Sequence, residues 1–268
     1  MANISVYWGN KEERAKIALQ HTLEMSTKYA DKIKLSRKNS VIYSPNSVFM
    51  EQKVKNQNMS FSLVSEGSVS AIIKFAEGKT AVLNFASYKH PGGGFLAGSK
   101  AQEECLCHES FLYNVLREFP FYYKQNSTNL NRALYTNRAI YSPNVIFESD
   151  DKVVECDVIT CAAPNITAAT KYNKNISQEE NLSVLRSRIK FVLDIAAENK
   201  VDTLILGAFG CGVFGQDAAV VCNIFLEYLT NDYRCFNKIV FAVPADIHQE
   251  NLTKFLTVLT EWEKNKND

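Results

Sequence analysis

Two adjacent acids, Glu103 and Glu104, follow Gln102 and stand shortly after the glycine triplet Gly92-Gly93-Gly94. The triplet comes after an apolar run, residues 80–85, and the acids open a stretch with helical periodicity. The order expected is therefore strand, Gly-rich loop, helix. A carboxyl group beside such a loop suits proton transfer, in which a positioned acid protonates a leaving oxygen. Neighbouring residues on a helix point about a quarter-turn apart, so the two acids are expected to divide the work. One would position a hydroxyl and the other would move the proton. Glycines bury nothing and lose the most backbone freedom on folding, so the triplet is expected to serve ligand approach to its N–H groups rather than packing. A lone acid at a helix N-terminus would be ordinary dipole chemistry. Three glycines and an acid pair between a strand and a helix favour a site.

A second loop, Gly207-Ala208-Phe209-Gly210-Cys211-Gly212-Val213-Phe214-Gly215, follows the wholly apolar run 203–206 and precedes a helix that Asp217 is placed to cap. Free N–H groups ahead of a helix dipole suit a phosphate. No Lys-Ser or Lys-Thr follows the last glycine, and the glycine spacing differs from the dinucleotide fingerprint, so neither of those nucleotide motifs applies. Phe214 has two readings, a flat surface for a sugar or base and a plug for the loop interior. Cys211 reads as a small residue tolerated in a tight loop rather than a nucleophile. His90 and His108 have no Ser or Cys arrangement around them and read as structural.

These loops need a scaffold. The chain of 268 residues is 46% hydrophobic and 22% charged, with a formal net charge of +1. That is a soluble globular composition without the broad positive field of a nucleic-acid binder. Seven cysteines are dispersed without a CxxC pair. Cys105-Leu106-Cys107-His108 lacks a second ligand pair at zinc spacing, and reduced thiols in an intracellular protein are expected. No run approaches a membrane span, and no signal peptide is apparent. Helices are expected at 10–29, with Ile17, Leu19, Leu23 and Met25 as the apolar positions, and at 69–77, 103–119, 179–198, 217–229 and 250–264. Strands are expected at 61–64, 80–85, 153–163, 203–206 and 238–243. Residues 32–59 read as an irregular arm, 121–151 as a long excursion and 166–178 as a polar loop. Alternating strands and helices give an α/β sandwich with a largely parallel sheet, whose strand ends carry the ligand edge. One domain is expected, with residues 1–60 as a helical extension and 61–268 as the core.

The motifs Asn84-Phe85-Ala86-Ser87, Pro91-Gly92-Gly93-Gly94-Phe95-Leu96 and Ala101-Gln102-Glu103-Glu104 together resemble the poly(ADP-ribose) glycohydrolase signature, here with a seven-residue spacer between the triplet and Gln102. Tyr141-Ser142-Pro143, Ala163-Pro164-Asn165 and the loop at 207–215 follow in the order of that family's microbial-type branch. The resemblance runs over residues 10–244. It implies a macrodomain-like three-layer α/β/α sandwich with a mixed, largely parallel sheet and an ADP-ribose cleft at the strand ends. By the same resemblance Glu104 is the general acid that protonates the ribose–ribose oxygen and then activates water. Glu103 hydrogen-bonds ribose hydroxyls, and Gln102 braces the catalytic loop. Asn84, Gly92, Gly93 and Gly94 belong to the ribose and diphosphate region. Gly210, Cys211, Gly212 and Val213 wrap the diphosphate, Phe214 packs on the terminal ribose, and Glu66 stands near the adenine-reading acid. Phe209 and Gln216 stand where the family has tryptophan and asparagine.

The resemblance thus implies a glycoside hydrolase that releases ADP-ribose from poly(ADP-ribose) without metal or cofactor; a monomer in the cytoplasm, or in the nucleus of a eukaryotic cell, is expected. A mono-ADP-ribosyl hydrolase acting on protein or nucleic acid, and a reader that binds ADP-ribose without cleaving it, are the alternatives. The presence of Glu104 argues against the reader.

Overall fold

The computed structural model describes residues 9–50, 59–149, 152–172, 175–233, 235–245 and 250–267. Helices α1 (Lys11–Lys28) and α2 (Ala30–Asn39) lead to a short strand, β1 (Val41–Tyr43). Next come β2 (Ser60–Val64), α3 (Ser68–Phe75), β3 (Thr80–Phe85), α4 (Gln102–His108), α5 (Leu112–Leu116) and α6 (Pro120–Thr128). Strands β4 (Ala139–Ser149) and β5 (Lys152–Cys161) precede α7 (Ile166–Lys171) and α8 (Gln178–Glu198). The chain closes with β6 (Thr203–Leu206), α9 (Ala218–Asn231), β7 (Lys238–Ala242) and α10 (Glu250–Asn267).

The seven strands form one sheet in the order β1-β4-β5-β3-β6-β7-β2. From β5 to β2 every pairing is parallel, and β4 and β1 add antiparallel pairings at one edge. Helices cover both faces, as parallel strands require, because their apolar side chains point both ways. Ala81, Leu83, Leu204 and Phe241 pack toward α8, α9 and α10 through Ile189, Val192, Phe225 and Phe255. Val82, Val158, Ile205 and Val240 pack the other way, with Ile72 of α3, Leu106 of α4 and Val115 of α5. Asn84 and Thr160 continue the Val82 and Val158 alternation, so both turn toward the α4 layer at the strand ends. The mixed three-layer sandwich is as expected.

Several elements differ from expectation. The arm at 32–59 holds α2 and β1, and its 51–58 portion lies outside the described residues. The excursion at 121–151 holds α6 and the eleven-residue β4. Pro143 hides that strand from a pattern reading. It is tolerated because the ladder shifts register between Ser142 and Val145, where Asn144 takes a φ of 54°. The loop at 166–178 contains α7, capped by Asn165, whose side chain accepts the Ala168 N–H. The helix at 103–119 is broken into α4 and α5. On α1 the buried face is Ala18, Thr22 and Met25, whereas Leu19 and Leu23 are exposed. Small residues face inward because α1 lies close against the backbone after β3 (Gly98 fits beneath the Lys11 carbonyl only as glycine).

Candidate active site

Strands β3 and β6 are parallel neighbours, paired from Thr80 with Thr203 to Val82 with Ile205. The two Gly-rich loops therefore leave the same edge side by side. Their roots touch: the Phe85 and Phe209 ring centroids lie 5.7 Å apart, and the Phe85 ring closes on Gly207.

Both acids are buried, with 3% of Glu103 and 6% of Glu104 accessible. Glu103 turns to the end of β3, where it accepts the Ser87 N–H at 2.7 Å and the Asn84 amide at 3.2 Å. Glu104 turns to the loop, accepting the Gly94 N–H at 2.7 Å and the Ala101 N–H at 3.0 Å. The second of these bonds caps α4 in the ordinary way for an acid in a first turn. The first is a tertiary contact across the glycine loop. The acids thus have separate partners, as expected of a divided pair. They are less divergent than a quarter-turn implies, however. A Cβ built on Gly93 would sit 2.6 Å from Glu104 Oε1 and 2.9 Å from Glu103 Oε2. One oxygen of each acid converges on that residue.

This corrects the expectation for the triplet. Gly92 and Gly93 do take positive φ, 65° and 59°. Their N–H groups, however, are not presented to a ligand. Gly93 donates to the His90 carbonyl, Gly94 to Glu104, and Gly92 toward Glu103. The glycines leave room for close neighbours: a side chain at Gly93 would press on both carboxyl groups, one at Gly92 on the Tyr113 ring and one at Gly94 on Ser99.

Gln102 links three elements. Its Oε1 accepts the Phe85 N–H, and its Nε2 donates to the Leu83 carbonyl and to Ser68 Oγ, tying α4 to β3 and α3. Glu66 lies in the β2–α3 loop, two residues from Ser68 on the same sheet edge, and pairs with Lys74. Asn84 is fully buried and donates to Thr160 Oγ1 as well as to Glu103, while its Oδ1 accepts no hydrogen bond.

In the second loop Gln216 closes the turn, donating its backbone N–H to the Gly210 carbonyl and its amide to the Pro164 carbonyl. The N–H groups of Gly212, Val213 and Phe214 make no hydrogen bond within the described residues, and Gly212 faces open space. Three successive N–H groups without a partner of their own are the kind of donors an anion-binding loop offers. Phe214 is half-buried and meets Tyr135 edge-on at 6.1 Å, while Tyr135 stacks on Tyr88 at 4.1 Å. Phe214 is therefore anchored on one side and open on another. Burial pushes the Cys211 thiol up to about 12, which removes it as a thiolate nucleophile at neutral pH. Burial holds His108 down to about 4, and its ring packs edge-on against Phe95 at 4.7 Å, so it is structural. His90 is exposed.

Burial pushes the Glu103 carboxyl up to about 8, against the pull of the Ser87 N–H and the Asn84 amide, and the neighbouring Glu104 charge adds to the rise. Glu103 is therefore a neutral acid at pH 7, able both to donate and to accept.

Tyr88, Tyr135 and Arg188 lie outside the residues expected at the site. Arg188 is fully buried and donates to the carbonyls of Ala162 and Leu134 and to Asn137 Oδ1, fixing the backbone on both sides of the aromatic stack. A charged residue inside the apolar stripe of Leu185, Ile189 and Val192 was the available signal. A groove of about 380 Å³ between α1, α2 and α5, lined by Lys34, Arg37 and Arg117, contains none of the expected site residues. Among the described residues no cluster of His, Cys, Asp or Glu is arranged to hold a metal, and no helix is long and apolar enough to cross a membrane.

Residues 14–149 match the family model for the microbial-type PARG catalytic domain. Poly(ADP-ribose) glycohydrolase from Thermomonospora curvata, bound to the inhibitor ADP-HPD, superimposes with a TM-score of 0.80 at 30% identity, covering 92% of this chain and 99% of that one. The Deinococcus radiodurans poly(ADP-ribose) glycohydrolase in complex with ADP-ribose superimposes with a TM-score of 0.76 at 33% identity, covering 85% and 96%. No curated relative matches the chain in sequence.

Proposed function

This chain belongs to the microbial-type poly(ADP-ribose) glycohydrolase family, and from that premise we propose that it hydrolyses the ribose–ribose bonds of poly(ADP-ribose) and releases ADP-ribose. The observation that carries the reading is the convergence of two buried acids on Gly93, beside a loop whose three successive N–H groups await an acceptor. The diphosphate lies against Gly210, Cys211, Gly212 and Val213, and Phe214 packs on the ribose at the bond to be cut.

Glu104 donates its proton to the leaving ribose oxygen as the glycosidic bond breaks. The carboxylate it becomes then takes a proton from the water that adds to the oxocarbenium-like carbon, restoring the acid. Neutral Glu103 holds a ribose hydroxyl, giving one hydrogen bond and taking another. Asn84 Oδ1 is a further acceptor at the same strand end. With one acid cycling between the two steps, the second carboxylate of ordinary glycosidases has no place in the scheme. Glu66 is proposed to read the adenine. The chain is read as one catalytic domain, monomeric and cytoplasmic, and its seven free thiols support a reducing compartment.

The test is ADP-ribose release from labelled polymer by the wild-type chain and by Glu104→Gln. The wild type is expected to release ADP-ribose and the variant to lose the activity while still binding ADP-ribose. Equal release by both would remove Glu104 from its role.

A further inference from the structure

Glycines at 92, 93, 94 and 98 leave the segment before α4 with little stiffness of its own. Yet one of its N–H groups holds the carboxyl assigned to proton transfer. The Gly94 N–H reaches Glu104 Oε1, and the Gly94 carbonyl accepts the N–H groups of Ala97 and Ser99 in a tight turn. Gly98 ends that turn at a φ of 72°, with its N–H on the Phe95 carbonyl. What fixes the outer side of the turn is the N-terminal helix. Arg14 Nε donates to the Gly98 carbonyl at 2.8 Å, and the same guanidinium donates to the Gly9 carbonyl. A Cβ on Gly98 would lie 1.9 Å from the Lys11 carbonyl oxygen, so α1 sits directly on the turn.

The same helix also grips the segment after α4. His21 Nε2 lies 2.9 Å from the Ser110 carbonyl, and Asn114 donates to the Thr22 carbonyl and to Ser26 Oγ. Helix α1 is thus fastened on both sides of the acid-bearing helix, while Ala18 and Met25 join the core on that face. Arg14 is half-buried.

We propose that Arg14 is a positioning residue for catalysis: through the Gly98 carbonyl it holds the turn whose Gly94 N–H aims Glu104. The extension at the N-terminus is then part of the catalytic apparatus. The proposal rests on the assignment of Glu104, and the loop geometry gives it a readout that does not depend on turnover.

The experiment compares the full chain with Arg14→Ala and Arg14→Lys by three measurements. In hydrogen exchange, peptides spanning 92–101 are expected to exchange about tenfold faster in Arg14→Ala, while peptides from β6 and α9 are unchanged. On polymer, kcat is expected to fall about tenfold with KM changed less than about twofold. ADP-ribose affinity by calorimetry and the thermal midpoint are expected to stay near wild type, and Arg14→Lys to recover part of kcat. Unchanged exchange at 92–101 would overturn the proposal whatever the activity. Faster exchange with wild-type kcat would overturn the positioning role. A wild-type chain inactive on polymer would instead overturn the functional reading, leaving the exchange result to decide the clamp.

Discussion

Gly93→Ala is the perturbation whose cost the structure states most directly. The new methyl group would stand 2.6 Å from Glu104 Oε1, and an ordinary contact begins near 3.4 Å. The carboxylate must therefore retreat by about 0.8 Å, a displacement of the size that costs catalysis on the order of 100-fold. Retreat also lengthens the 2.7 Å bond from the Gly94 N–H toward the limit of a hydrogen bond. Glu103 Oε2, at 2.9 Å, blocks escape in the other direction. Independently, alanine at a φ of 59° adds about 1–2 kcal/mol of left-handed strain. For a chain of this size that lowers the thermal midpoint by only a few degrees, so the variant is expected to fold. The assay is steady-state ADP-ribose release from polymer with the folded fraction measured in parallel. The expectation is a kcat reduced about 100-fold, with ADP-ribose binding affected far less. A folded variant whose kcat stays within about threefold of wild type would show that neither carboxylate depends on this contact.

The Glu103 carboxyl, raised from 4.5 to about 8, binds a proton in the folded chain that it has already lost in the unfolded one. Folded stability is therefore expected to fall as pH rises from about 4.5 to 8, with a slope of up to about 1.4 kcal/mol per unit. Glu103→Gln should flatten that part of a thermal-midpoint profile, and parallel profiles for the two chains would refute the assignment. Gly212 tests the second loop from the opposite side. Because a Cβ there meets nothing within 4 Å and the backbone is unstrained, Gly212→Ala should leave the thermal midpoint unchanged but weaken ADP-ribose binding several-fold by calorimetry. Unchanged binding would take the diphosphate away from this loop.

Strands β3 and β6 were legible to the residue because buried parallel strands are continuous apolar runs with turns at both ends. Helices α8 and α9 were legible through their 3.6-residue stripes and the Asp217 cap. Strand β4 was not, since Pro143 and a bulge interrupt an alternation that resumes at Val145. On α1 the exposed Leu19 and Leu23 outweighed Ala18 and Thr22 in any apolar count, although close packing selects the smaller pair. At the site, the residue types and their edge of the sheet were readable. The direction of the triplet's N–H groups was not, because their acceptors include a carboxylate ten residues away, whose reach depends on how α4 packs. Arg188 was missed for a similar reason: its acceptors are mostly carbonyl groups, which carry no sequence signature.

Strand β3 has a consequence for how the protein comes into being. Both its neighbours in the sheet, β5 and β6, are made after it. A nascent chain halted before β6 already contains the acids, the triplet and Gln102, but its β3 has an unpaired edge of apolar residues, the kind that recruits other chains. Pairing β3 with β6 joins Thr80 to Thr203, a contact across most of the core, and such long closures are slow. The cleft between the two loops is therefore completed late, and hydrolytic competence is acquired with the closing of the sheet rather than with the appearance of the acids.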